Sequence, residues 1–136
     1  MACQEKILSL MILAYDKMNS LPDSAVDCIN ALIERTSLVD LKKAFQRVSD
    51  SYRARVFTSF ETKDDRIAYL LFRLPATFAV ALDVFSRLHK QWPAFSPQSV
   101  LDIGSGPGSM ILALESFFSN VKRIVAVEQD SYFIEL

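Results

Sequence analysis

The chain has 136 residues, enough for one ordinary domain, with 51% hydrophobic and 23% charged side chains, which excludes a disordered polymer. Fifteen basic against sixteen acidic groups leave a net charge of −1, so no global basic field draws in nucleic acid. Cys3 and Cys28 are far apart and lack CxxC spacing; they read as packing thiols, not as a disulfide or metal framework, and no metal is inferred.

Residues 7–15 form an apolar run with the look of a signal-peptide core, but Glu5 and Asp16 bracket it and no small-residue cleavage site follows. The run is too short to span a bilayer, and the segment lacks the Arg-rich, acid-poor character of a transit peptide. It reads as an N-terminal packing helix, with Ile7, Leu10, Met11, Ala14, Tyr15 and Met18 inward, in a cytoplasmic protein with no membrane partner.

Pro22 and Asp23 then suit the start of a second helix with Val26, Ile29, Leu32 and Ile33 on its apolar face. Ser37 with Asp40 resembles a capping arrangement for a third, along which Leu38, Leu41, Phe45, Val48 and Tyr52 recur. Residues 53–62 are ambiguous. Thr62 with Asp65 opens a fourth helix through Ile67, Leu70, Leu71 and Leu74. Pro75 is expected to break or redirect it, giving a fifth helix over 76–90 with Phe78, Leu82, Phe85 and Leu88 inward. Residues 91–98, with two prolines, read as a linker.

After the linker the pattern changes. Val100 to Ile103 reads as a short buried strand, residues 108–118 as a helix, and Ile124 to Val127 as a second strand, which implies parallel pairing. Between strand and helix lie Gly104, Gly106 and Gly108, the chain's three glycines. Asp102 precedes them, and Glu128 ends the second strand roughly twenty positions after Gly108, the offset of a ribose-binding acid. A dinucleotide loop would place its third glycine where Ser109 stands, and a phosphate-cradling loop would continue with Lys and Ser or Thr; neither is present. The spacing argues against a dinucleotide oxidoreductase.

The Asp102-x-Gly104-x-Gly106-x-Gly108 spacing resembles the first motif of class I S-adenosylmethionine-dependent methyltransferases. The resemblance implies that S-adenosylmethionine is the cofactor, bound by Asp102, Gly104, Ser105, Gly106, Gly108, Glu128 and Gln129. The first acid would lie near its amino group, Glu128 on the ribose and Gln129 near the adenine edge. Carboxylates suit a ligand with ammonium, sulfonium and ribose groups and no phosphate.

The stretch Arg73-Leu74-Pro75-Ala76-Thr77-Phe78, together with Ser105-Gly106-Pro107-Gly108, is similar to the methyltransferase-like family associated with the mitochondrial small ribosomal subunit and its bacterial relatives. That resemblance implies a helical region (1–90), a linker (91–98) and, over 99–136, the start of a Rossmann-like α/β domain that is incomplete at its second strand. A chain so ended is expected to be inactive alone and to self-associate through its unfinished sheet. The implied function is small-subunit assembly, with ribosomal RNA as partner and methyl transfer to it; the alternative is an assembly factor that transfers nothing. Family members also carry later cysteines proposed to hold an iron–sulfur cluster, and Cys3 and Cys28 match none of them.

Arg73 has two readings, a guanidinium turned toward the cofactor carboxylate or RNA phosphate, or a helix-end cation. Lys42, Lys43, Arg47, Arg53 and Arg55 are better explained as a solvated face than as an RNA patch. His89 reads as a helix-end residue, Asp64 and Asp65 as first-turn acids, and Phe57, Phe60, Trp92 and Phe95 as core or linker anchors.

Overall fold

A computed structural model of the chain describes residues 21–56 and 60–136. The expected helix over the first twenty residues, and Phe57, lie outside them. The elements in order are α1 (Asp23–Glu34), α2 (Leu38–Ala54), α3 (Lys63–Gln91), β1 (Ser99–Ile103), α4 (Ser109–Phe117), β2 (Arg123–Val127) and α5 (Ser131–Ile134). The chain is thus mostly helical, with one two-stranded parallel sheet.

Local chemistry explains the helix starts unequally. At α3 the Thr62 hydroxyl accepts the Asp65 amide at 3.1 Å while the Asp65 carboxylate accepts the Thr62 amide at 2.9 Å, a complete capping box. Ser37 precedes α2 but makes no side-chain cap, so only its carbonyl serves, accepting the Leu41 amide at 2.9 Å. α2 stops at Arg55, which adopts the left-handed conformation with φ of 53°.

Pro75 does not break the helix, contrary to the expectation of two helices meeting there: α3 runs uninterrupted for 29 residues. The missing N–H leaves the Leu71 carbonyl without its usual donor. Tertiary burial offsets that loss, for Pro75 is among the fully buried side chains together with Ile67, Leu70 and Phe78. Each large apolar side chain so buried contributes about 1.5–3 kcal/mol. Among the described residues α3 is also the one helix long and apolar enough to cross a membrane. Here it is the central helix, packed against α1, α2 and α4.

One core joins the helical region to the β-α-β unit: Ile29 of α1 and Leu70, Leu74, Phe78 and Ala81 of α3 pack with Ala113 of α4 and Phe133 of α5. The linker is pinned by aromatics, with Phe95 5.1 Å from Trp92 and 5.8 Å from Phe118, whose ring meets Phe85 of α3 at 5.3 Å.

β1 and β2 pair with Asp102 opposite Ala126 and Ile103 opposite Val127. Leu101, Ile103, Val125 and Val127 share one sheet face and are exposed, Ile103 to 75%. Val100, Asp102 and Ile124 on the other face are half-buried.

Candidate functional site

The turn after β1 is bound to the end of β2. The Val127 carbonyl accepts the amides of Gly104 at 2.7 Å and Ser105 at 3.2 Å, and the Ser105 carbonyl accepts the Gly108 amide at 3.0 Å. All three glycines have positive φ, 77°, 53° and 78° along the chain. At Gly106 a side chain would be strained by that conformation, and a Cβ there would project into open space with no heavy atom within 4 Å. The loop therefore presents bare backbone to a groove, which is what close approach by a ligand requires.

Glu128 is the keystone of this turn. Its Oε2 accepts the Gly106 amide at 2.7 Å, and its Oε1 accepts the amides of Gln129 at 2.7 Å and Asp130 at 2.9 Å. The Asp130 amide foremost, with those of Gly106 and Gln129, holds the carboxyl below its ordinary range against the opposing effect of burial. A carboxylate offers about four acceptor positions, so three backbone donors leave roughly one for a ligand hydroxyl.

Asp102 presents the opposite chemistry. Its Oδ2 is buried and has no hydrogen-bond partner. Burial, and then the nearby charge of Glu128, push its carboxyl above the usual range. A buried carboxylate oxygen without a donor costs about 1–3 kcal/mol, a penalty that a donor reaching it would remove.

Gly104, Gly106, Glu128 and Gln129 line one side of an open groove of about 1220 Å³; the end of α2 and the start of α3 line the other, including Arg55 and Tyr69. Ser105, Gly106 and Gly108 also face a second groove of about 660 Å³ beside α1. The structure thus brings Gly104, Ser105, Gly106, Gly108, Glu128 and Gln129 to the grooves, while Asp102 lies behind the loop on the strand that feeds it and lines neither groove. Ser109 is buried at the first position of α4, where a dinucleotide loop has glycine.

Arg73 stands elsewhere. It lines neither groove, lies mid-helix because α3 continues past Pro75, and places its guanidinium 5.3 Å from the Tyr52 ring. Neither the cofactor-facing role nor the helix-end role describes that position. Burial foremost, with Tyr69 beside it, pushes the Tyr52 hydroxyl up to about 12, against the opposing charge of Arg73. Within the basic run Arg47 alone is firmly committed, bonding Asp65 at 2.7 Å; Lys43 and Arg53 make loose, exposed pairs, 3.8 Å from Asp40 and Asp50 respectively. His89 meets the edge of Phe117 near the end of α3. Cys28 is exposed on α1, and among the described residues no group of three or more His, Cys, Asp or Glu side chains gathers as a metal site.

Two ion pairs were not legible in the sequence. Asp65, read as a first-turn acid, is buried and takes both Nε and Nη2 of Arg47 at 3.0 and 2.7 Å. Asp130 caps α5 by accepting the Tyr132 amide and pairs with Arg66 at 2.8 Å. Asp130-Ser131 carries a local cap signal, but its arginine lies 64 positions away.

Fold and site define a helical protein carrying a parallel β-α-β unit with a glycine loop between two acids. The family described as "Mitochondrial small ribosomal subunit Rsm22" matches residues 63–136, and the chain belongs to that family. It is also 30% identical over 71 residues to the ribosome assembly protein METTL17, mitochondrial, of Homo sapiens. The match covers 52% of this chain and 16% of that relative's length. The family expected from the Arg-Leu-Pro-Ala-Thr stretch and the glycine loop is the one found. The cytoplasmic location is overturned, since family and relative are both described as mitochondrial. That inference rested on residues 5–16, and a cellular address is read by receptors rather than fixed by packing chemistry.

Proposed function

We propose that this chain carries the glycine-loop end of an S-adenosylmethionine site in a methyltransferase-like protein acting in mitochondrial small-subunit ribosome assembly. On this reading residues 99–136 open a Rossmann-like domain, 1–90 form a helical region before it, and ribosomal RNA is the partner. The carrying observation is the partnerless, buried Asp102 oxygen beside a loop of bare backbone and an ionised Glu128. Two carboxylates favour a cationic adenosine ligand over one bearing phosphate. Asp102 would face the ammonium group, Glu128 a ribose hydroxyl and Gln129 the adenine edge, with the Gly104–Gly108 backbone along the methionine portion. The cofactor, when bound, supplies an electrophilic methyl group on a sulfonium.

Calorimetric titration with S-adenosylhomocysteine tests this reading, with ATP as the comparator. Selective binding of the former supports it, and equal or preferred binding of ATP sinks it. The human relative is described as a ribosome assembly protein, and assembly is also served by a second reading: cofactor binding without transfer. A tritiated-methyl assay on small-subunit RNA separates the two.

A further inference from the structure

Glu128 and Asp130 are two carboxylates on one tight turn, and each repels the other. Their proximity is tolerated because Asp130 is neutralised from α3. The Nε of Arg66 donates to both Asp130 oxygens, at 3.0 and 2.8 Å, and its Nη1 donates to the Thr62 carbonyl at 3.1 Å. Thr62 is itself fixed by its capping box with Asp65. The pair is shielded, with the Arg66 and Asp130 side chains only 24% and 16% exposed. Beyond the pair, the Asp130 amide donates to Glu128 Oε1, while Glu128 Oε2 takes the Gly106 amide. Charge-assisted hydrogen bonds to the Asp130 side chain and from its backbone amide therefore link the start of α3, through Asp130 and Glu128, to the glycine loop.

We propose that Arg66 is a positioning residue for the ligand site: through Asp130 it sets the turn that holds Glu128 against Gly106. This rests on the cofactor reading above. Without the guanidinium, Asp130 and Glu128 repel, the turn relaxes, and the Gly106 amide loses its acceptor. Arginine suits the task because its planar fork holds Asp130 and the Thr62 carbonyl at once; a lysine ammonium keeps the charge but not that fixed geometry.

The test compares wild-type protein with Arg66→Lys, Arg66→Met and the double variant Arg66→Met/Asp130→Asn. Hydrogen exchange of the Gly106 amide is measured in ligand-free protein, and affinity for S-adenosylhomocysteine is measured by calorimetry. Arg66→Met should speed Gly106 exchange several-fold and weaken binding roughly 5- to 30-fold, and Arg66→Lys, which keeps the charge but not the geometry, should do both to a smaller but measurable extent. The double variant should recover part of both losses, because the repelling carboxylate is gone. Wild-type exchange and affinity in Arg66→Met, with only a lowered melting temperature, would make Arg66 a fold brace and overturn the proposal. If Arg66→Met does not fold, Arg66→Lys carries the same two readouts. Wild-type protein that fails to bind the ligand refutes the cofactor reading alone; the Gly106 amide in ligand-free protein still decides whether Arg66 positions the turn.

Discussion

Asp102→Asn should make the ligand-free protein more stable and the ligand weaker. Asp102 carries a buried oxygen with no donor, and burial and the Glu128 charge both disfavour its ionised form. The neutral amide keeps the shape and removes the charge, a gain of order 1 kcal/mol, which raises the melting temperature by about 3–6 °C for a domain of this size. The same change removes a charge-assisted contact to a ligand ammonium worth about 1.5–3 kcal/mol, so affinity should fall about 10- to 150-fold. The pH dependence has a definite sign. The folded-state value is raised, so the stability that Asp102 contributes is full below its unfolded value near pH 4 and is lost as pH rises through the raised value; Asp102→Asn should abolish that slope. Differential scanning fluorimetry across pH, with and without S-adenosylhomocysteine, reads all three quantities. A variant less stable than wild type and binding as tightly would refute the reasoning, because Asp102 would then be a satisfied structural acid.

Four further outcomes follow from named contacts. Glu128→Ala should weaken S-adenosylhomocysteine binding by at least about 1.5–3 kcal/mol in calorimetry, since it removes the ribose acceptor and frees three backbone donors at once. Gly106→Val should abolish binding through strain at φ of 53° and a branched side chain in the groove; because its Cβ meets no atom of the protein, melting temperature should fall by no more than the backbone strain requires. Asp65→Ala should destabilise by about 2–4 kcal/mol in urea melts, losing the α3 cap and leaving Arg47 unpaired. Asp65's folded-state value is lowered, its hydrogen bonds with Thr62 and Arg47 outweighing the larger single effect of burial, so its stabilisation holds above about pH 4 and disappears as pH falls through the folded value. Light scattering should show the 136-residue chain self-associating through the exposed face of Leu101, Ile103, Val125 and Val127, and Ile103→Lys should reduce it.

The legible features were those carried by local chemistry. Glycines in a strand-to-helix turn and Thr62 with Asp65 three positions on each announce a backbone conformation, and the loop and the capping box stand where their residues indicate. Pro75 misled because a proline signals a missing N–H, whereas its burial in the α3 core depends on contacts with distant segments. Ser37 misled in the opposite way, since a capping residue type is present and its hydroxyl caps nothing. The ion pairs Arg47–Asp65 and Arg66–Asp130 join residues 18 and 64 positions apart, and charge patterning along one helix cannot reveal them. Arg47 also shows why the basic run is a poor guide to RNA: its guanidinium is committed to Asp65, so a charge-reversal test of RNA binding belongs at Lys42 and Lys43 instead.

The chain's three glycines all lie in the loop, so the glycine amide signals of a nitrogen–proton correlation spectrum report on the candidate site alone. Titration of the labelled protein with S-adenosylhomocysteine should shift the Gly104, Gly106 and Gly108 signals in a saturable manner, while ATP at equal concentration leaves them in place. Glycine signals unmoved by S-adenosylhomocysteine, or moved equally by ATP, would contradict the assignment of this loop to a phosphate-free adenosine cofactor.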